Sequence, residues 1–351
     1  MRVLFPFVAS LIQVAICLAK RKNIIIDTDL FSDVDDVGAL MLTATSPEAN
    51  LIAVNINYPA AYSVIAASAL LCHYGQPQVP IGIMRPLTNE TFFDDWSFRL
   101  GEYASKIAYH FPSGSIPWGH AEDAWDPVEL YRKVLAESED ASVTIVSIGF
   151  LDNLSALLNS TGDEYSDLNG RELISQKVSE FVVMGGAYPS GKEWNFFGSN
   201  PSAAAHAVNT WEGRVTFVGD EVGKDVLTGG PLMKDGPKTD LLRQAFIYYT
   251  YFDPRPSWDA LAVMYGIHGL GDLFEVGNEY GYNHVEPDGA NKWIWDEMKR
   301  EQQFLLLKAS NETAAAKVDR LFLKGARSAA PDVGGTPPKA SCAGRSQHEE
   351  L

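Results

Sequence analysis

The sequence predicts an α/β protein with an open, mostly parallel (Rossmann-like) central sheet, helices on both faces, and its site at the C-terminal ends of the strands. Three observations predict it. Short β-branched runs alternate along the chain with stretches of helical apolar spacing, the pattern of a parallel sheet connected by helices. Ile24-Ile25-Ile26 is continuously apolar, as a strand buried on both faces requires. Directly after it, five carboxylates (Asp27, Asp29, Asp33, Asp35 and Asp36) fall within ten positions, and Val37 to Leu42 then resumes helical spacing. Strand, acidic loop and helix in that order put the acids where parallel sheets bind ligands.

In chain order, Met1-Arg2 is followed by a nearly unbroken apolar run from Val3 to Leu18 and by small residues ending at Ala19. This reads as a secretory signal peptide over residues 1–19, because the run is short for a membrane span and Lys20-Arg21-Lys22 ends it. Strands follow at 51–56, 79–83, 143–148, 181–184 and 215–218, with helices at 60–74, from 151 to 158, and at 203–208. Residues 88–128 are aromatic and irregular, as an excursion over the strand ends would be. One domain is expected over residues 20–327. The Pro-, Gly-, Ala- and Ser-rich segment 328–351 reads as a disordered tail. Its last residues, His348-Glu349-Glu350-Leu351, resemble the His-Asp-Glu-Leu retrieval address of the endoplasmic reticulum with one acid exchanged. The expected location is therefore the secretory pathway, secreted or retained.

Composition narrows the function. With 46% hydrophobic residues the chain can bury a sizeable core, and a net charge of −17 argues against a nucleic-acid partner. No later stretch is apolar and long enough for a stable membrane span. Three cysteines give no disulfide framework, and Cys72 reads as helix core. Asn89, Asn153, Asn159 and Asn311 begin N-glycosylation acceptor triplets, of which Asn153 is expected to be shielded in a strand-to-helix turn. His73 and His206 read as surface or packing residues.

Five like charges in one loop repel one another unless a cation sits among them, and a hard divalent ion such as Ca²⁺ takes six to eight oxygens. The plain alternative is a solvated loop capping a helix through Asp33 or Asp35. Two enzyme families place Asp-x-Asp after the first strand of such a sheet. In the haloacid-dehalogenase-like phosphatases, Mg²⁺-dependent enzymes, Asp27-Thr28-Asp29 would be nucleophile and acid/base, Ser147 would bind phosphate, and Gly219 to Asp225 would hold the metal. That resemblance fails at Phe31 and leaves Asp35-Asp36 without a role.

A second resemblance accounts for more residues. Asp27-x-Asp29 with Asp35-Asp36, then Val146 to Leu154, then Met184-Gly185-Gly186-Ala187 with Glu193-Trp194-Asn195 and Asn200-Pro201-Ser202-Ala203-Ala204, then Ser257-Trp258-Asp259-Ala260-Leu261-Ala262, resemble in order the motifs of the nucleoside hydrolases, the inosine/uridine-preferring N-ribohydrolases. The resemblance spans roughly residues 23 to 325 and implies hydrolysis of the N-glycosidic bond of a ribonucleoside. It implies Ca²⁺ held by Asp29, Asp36, Asp259 and the backbone carbonyl of Ile148. It makes Asp29 the general base and Asp27 a group that orients the loop. Asp35, Glu193 and Asn195 would hold the ribose, with Asn57 a further ribose contact whose other reading is a strand-end turn residue. Family members are often dimers or tetramers, so a homo-oligomer is implied. A binding protein that keeps the pocket without turnover is the alternative of another class; retention of every metal ligand and the base argues against it.

The chain departs from the family pattern in three places. Five residues, Leu30 to Val34, separate Asp29 from the Asp pair where the family has three, and Asp33 is an extra carboxylate able to compete as a ligand. The loop between Gly186 and Glu193 is short and lacks the usual ribose-binding Asn. Trp258 stands where many members have a His that protonates the departing base. With Glu193-Trp194-Asn195, this resembles the purine-preferring branch, in which the purine is sandwiched between aromatic rings. Trp258 would be one face and Trp96 the other. Alternatively, Trp258 packs beneath the metal loop.

Overall fold

The computed structural model describes residues 21–93 and 100–329. The expected signal peptide, Trp96 and the C-terminal address lie outside the described residues. The strands are β1 (Lys22–Thr28), β2 (Ala49–Ile56), β3 (Ile81–Ile83), β4 (Val143–Ser147), β5 (Val178–Met184), β6 (Ser190–Lys192), β7 (Val215–Val218), β8 (Leu227–Thr228), β9 (Arg255–Pro256), β10 (Phe274–Val276), β11 (Tyr282–Val285), β12 (Ala290–Ile294) and β13 (Gln302–Leu307). Eight of them form one sheet in the order β10-β13-β7-β5-β4-β1-β2-β3. Neighbours from β13 to β3 are parallel, and β10 closes one edge antiparallel to β13.

Both faces of the sheet are covered, as the unalternating Ile24-Ile25-Ile26 requires. All three are fully buried, with Ile24 and Ile26 in one apolar layer and Ile25 in the other. Strand side chains alternate between faces, so a strand buried on both sides must be apolar at every position. One layer contains the helices Asp35–Thr45, Ala61–His73, Asp259–His268 and Asn311–Ala329; the other contains Pro127–Ala136, Asp152–Leu158 and Pro201–Thr210. The last helix is amphipathic and runs two residues past the predicted boundary at 327. Ala314, Val318 and Phe322 face the core, and Asp319 Oδ1 accepts the Gly229 N–H at 2.7 Å.

β1 pairs with β2 on one side and β4 on the other. The chain leaves β1 towards β2 and β3 and returns at β4, so a crevice opens between the ends of β1 and β4, the place where such sheets bind ligands. The excursion over 88–128 is partly ordered: the helix Ala104–His110 forms within it. The helix Pro127–Ala136 begins where Asp126 accepts the N–H groups of Val128 and Glu129. Cys72 is buried in its helix, as expected, but is also disulfide-bonded, which was not expected; the two other cysteines lie outside the described residues. Helical spacing reports burial of a thiol and is silent on its oxidation. Among the described residues, no helix is long and apolar enough to cross a membrane.

Candidate active site

β1 ends in the acidic loop. Asp27, still in the strand, is fully buried and accepts three hydrogen bonds: from Asn57 Nδ2 at 2.6 Å, Tyr131 Oη at 2.8 Å and Asn153 Nδ2 at 3.2 Å. Burial pushes its carboxyl up to about 7 against the pull of these donors. Its carboxylate ties Asn57, Tyr131 and Asn153 to the end of β1. Asn57 Oδ1 accepts the Phe150 N–H at 3.1 Å, so the Asn57 amide braces the ends of β1 and β4. These bonds are the ones a strand-end turn residue makes. Gly149 permits the same closeness: a Cβ there would stand 2.5 Å from the Asp29 nitrogen. Ile148, whose N–H donates to the Asp27 carbonyl at 2.7 Å, is thereby brought beside the loop.

After Asp29, Leu30 takes a left-handed φ of 36°, a strained conformation for a branched side chain. Its N–H donates to Thr28 Oγ1 at 3.1 Å and Asp36 Oδ1 at 3.3 Å. Thr28 Oγ1 donates to Asp36 Oδ1, and Ser32 Oγ donates to Asp29 Oδ2 at 2.7 Å. The longer loop is thus tied down within itself. Asp35 and Asp36 open the helix Asp35–Thr45, where its N-terminal dipole favours negative charge. Asp35 Oδ2 accepts the backbone N–H groups of Trp258 at 2.8 Å and Asp259 at 3.0 Å, capping the helix Asp259–His268 from the opposite end of the chain.

Asp33, Asp35, Asp36 and Asp259 each offer one oxygen, and these four oxygens lie within 4.8 Å of one another. Asp29 is not one of the four; its Oδ2 is held by Ser32. Asp35 Oδ1 and Asp36 Oδ2 are buried without a hydrogen-bond partner. Buried carboxylate oxygens left bare are costly unless a cation or a proton meets them. Burial, and then the neighbouring carboxylates, hold Asp35, Asp36 and Asp259 well above the ordinary carboxylate range. Burial followed by the charge of Asp33 raises Asp29 to about 6. The donor set is hard, anionic and crowded, and fits a hard divalent cation.

The end of β5 supplies the opposite wall. Glu193 accepts the N–H of Gly186 at 3.0 Å and of Asn195 at 2.9 Å, and Asn195 Nδ2 donates to the Met184 carbonyl at 3.2 Å. Burial lifts Glu193 to about 8, and the charges of Asp220 and Asp29 add to the shift. Trp258 packs against Gly223, its Nε1 donates to the Asp220 carbonyl at 2.9 Å, and the Arg255 guanidinium lies 5.6 Å over its ring.

Several residues at the site carried no signal in the sequence reading. Arg255 Nη2 pairs with Asp33 Oδ2 at 3.0 Å. The Tyr103 hydroxyl is buried without a partner and feels the charges of Asp36, Asp29 and Asp33. Phe31 stacks on Tyr58 at 4.1 Å, Tyr58 meets Phe150 at 6.1 Å, and Phe150 meets Trp194 at 6.3 Å, an aromatic row passing beside Asp29. Phe31 and Tyr58 each follow a strand directly implicated in the site, which was the available clue.

A profile of the inosine-uridine preferring nucleoside hydrolases matches residues 24–320. The chain belongs to that family. Nucleoside hydrolases are metal-dependent hydrolases of N-glycosyl bonds, and the family assignment sets aside the phosphatase alternative. No curated protein matches the sequence significantly. Among solved structures, an inosine-guanosine nucleoside hydrolase is 20% identical, with a TM-score of 0.64 over 87% of this chain and 99% of that one. A plant nucleoside hydrolase is 18% identical, with a TM-score of 0.62 over 86% and 99%. A purine-preferring ribonucleoside hydrolase from Gardnerella vaginalis is 17% identical, with a TM-score of 0.63 over 88% and 99%. At these identities the likeness establishes the nucleoside hydrolase α/β fold.

Proposed function

We propose that this nucleoside hydrolase is Ca²⁺-dependent and prefers purine ribonucleosides. The observation that carries the reading is the buried carboxylate cluster with two unpartnered oxygens at the β1–β4 crevice. Asp29, Asp36, Asp259 and the Ile148 carbonyl would hold the ion, which when bound supplies the charge that fixes a water and eases its deprotonation. Asp29 takes the proton of the attacking water as general base; burial already sets it nearer neutrality than an ordinary aspartate. Asp35 through Oδ1, Glu193 and Asn195 hold the ribose hydroxyls. The surrounding carboxylates stabilise the positive charge that develops on the ribose as the bond to the base breaks. Asp27 takes no part in proton transfer and keeps Asn57 and the 148–150 turn in place.

Purine preference is supported by Trp258 in place of a His and by the aromatic row Phe31-Tyr58-Phe150-Trp194, of which Tyr58 and Trp194 keep exposed ring surface. The two structural relatives described as inosine-guanosine and purine-preferring enzymes are consistent with this. Trp258 with Trp96 remains the proposed sandwich, and it requires Arg255 to leave the Trp258 ring. The experiment is release of free ribose from inosine, guanosine, adenosine, uridine and cytidine, with and without a chelator. Purines hydrolysed faster, and activity abolished by chelation and restored by Ca²⁺, are expected. Equal rates on uridine and inosine refute the preference, and activity indifferent to chelation refutes the ion.

We further propose that residues 1–19 are removed on entering the secretory pathway, that residues 20–327 are the catalytic unit, and that the C-terminal address delays export. Three of the four acceptor asparagines, Asn89, Asn159 and Asn311, are exposed and Asn153 is buried, so glycosylation is expected at the first three. Deleting residues 348–351 should raise the amount of protein in the medium. Equal secretion with and without them defeats the address.

A further inference from the structure

We propose that Asp33 is an additional carboxylate ligand of the cation and that Arg255 is the counter-charge competing with the cation for it. The inference rests on the metal-site reading above and adds to it a residue contributed by the longer Leu30–Val34 loop.

Oxygens bound to one Ca²⁺ at about 2.3–2.6 Å can be no farther apart than about 5 Å. The oxygen offered by Asp33 meets this condition with those of Asp35, Asp36 and Asp259, all within 4.8 Å of one another. Two oxygens of the same residues, Asp35 Oδ1 and Asp36 Oδ2, are buried and unpartnered, so the cluster is incomplete as a set of protein–protein contacts. Asp33 is the least buried of the four and stands at the mouth, with a fifth of its side-chain surface exposed. The loop course that brings it there is fixed by the left-handed Leu30 and by the Ser32–Asp29 hydrogen bond.

Arg255 explains how Asp33 is tolerated without the ion. Its Nη2 lies 3.0 Å from Asp33 Oδ2. The guanidinium is held over the rings of Tyr249 at 5.5 Å and Trp258 at 5.6 Å, on a strand, β9, that pairs with β8. A cation arriving among the four carboxylates meets a positive charge at its edge, and both draw on Asp33. Removing Asp33 must then weaken the ion's binding. Removing the Arg255 charge must strengthen it, and by more while Asp33 is present than in its absence, because the guanidinium also repels the ion directly and acts on Asp35.

The test is calorimetric titration of the chelator-treated full chain with Ca²⁺, comparing wild type, Asp33→Asn, Arg255→Gln, the double variant and Asp259→Ala. Melting curves in chelator establish that each variant is folded, and Asp33→Ser replaces Asp33→Asn if the latter is not. We expect Asp33→Asn to raise the Kd by about tenfold or more, as loss of one charged ligand does. Arg255→Gln should lower it by about threefold or more, and by a clearly smaller factor in the Asp33→Asn background. An Asp33→Asn protein that binds like wild type, while Asp259→Ala binds poorly, overturns the role of Asp33 and leaves the metal-site reading standing. Arg255→Gln tightening binding equally in the Asp33→Asn background overturns the competition. Wild type failing to bind, or Asp259→Ala binding like wild type, removes the metal site and this inference with it.

Discussion

Replacing Asp27 by Asn changes one atom at the centre of the fold, and the consequences can be worked out from its three donors. Oδ1 accepts from Asn57, and Oδ2 accepts from Tyr131 and Asn153. An asparagine has a single acceptor oxygen. If that oxygen faces Asn57, the new NH₂ faces Tyr131, which can turn its hydroxyl, and the NH₂ of Asn153, which stays a donor. If it faces the other way, the NH₂ meets Asn57, whose own oxygen is held by the Phe150 N–H at 3.1 Å. At least one buried N–H is left unpaired, at about 1–3 kcal/mol. Against this, the amide carries no charge to bury. Burial lifts the folded carboxyl to about 7 from 3.8, so folded Asp27 keeps its proton to higher pH than unfolded Asp27. Wild-type stability from this group is therefore complete below about pH 4 and lost as pH rises through about 7. The Asn variant has no such loss. Its destabilisation should be greatest at pH 5, with the melting temperature lower by about 2–5 °C, and should shrink by pH 8. Melting followed by circular dichroism in chelator at pH 5, 6.5 and 8 measures this. A variant as stable as wild type at pH 5, or a deficit that grows with pH, refutes the reasoning.

Other outcomes follow from the same geometry. Asp29→Asn should lose at least about a thousandfold in kcat, since the amide keeps an oxygen but cannot accept a proton; ribose release measures it, and turnover near wild type removes Asp29 as the base. Trp258→Ala should lower kcat for inosine more than for uridine if the ring assists departure of the purine, whereas a uniform fall in kcat and thermal stability would mark it as packing against Gly223. Burial lifts Asp319 to about 6, so its ionised form weakens the fold as pH rises from about 4 through about 6. Asp319→Asn retains an acceptor for the Gly229 N–H and should melt higher than wild type at pH 7.5 but not at pH 4; a gain independent of pH would mean the charge is irrelevant.

The parts of the fold visible in the sequence are those with strong local signals. Ile24-Ile25-Ile26 and Val143 to Ser147 are apolar at successive positions, which leaves a central parallel strand as the economical reading. The small sheet β11-β12-β6 was not predicted, because Ser190-Gly191-Lys192 and Tyr282-Asn283-His284-Val285 are short and polar and are ordered by partners distant in sequence. The helix beginning at Pro127 was legible after all, since Asp126-Pro127 is a cap followed by a first-turn proline. At the site, the acidic loop after β1 drew attention to Asp29, Asp35 and Asp36, and the family resemblance alone pointed to Asp259; the fold groups Asp35, Asp36 and Asp259 with Asp33. Asn57 was ambiguous because its two amide ends are committed to residues 30 and 93 positions away. Arg255 left no trace, since its partner Asp33 is 222 positions away and an arginine before a proline looks like any loop cation.

Asp35 reaches 224 positions along the chain to hold the N–H of Asp259. During synthesis the ribosome delivers the acidic loop early, and the residue that completes its carboxylate set arrives only after most of the sheet has been made. A chain that has passed the acidic loop but not reached Asp259 therefore carries a concentrated negative charge without the N–H groups that Asp35 accepts. The carboxylate cluster is consequently a late property of the nascent chain, assembled when the segment around Asp259 docks. On the function proposed above, a product terminated before that segment, however much of the parallel sheet it has built, is expected to be inert.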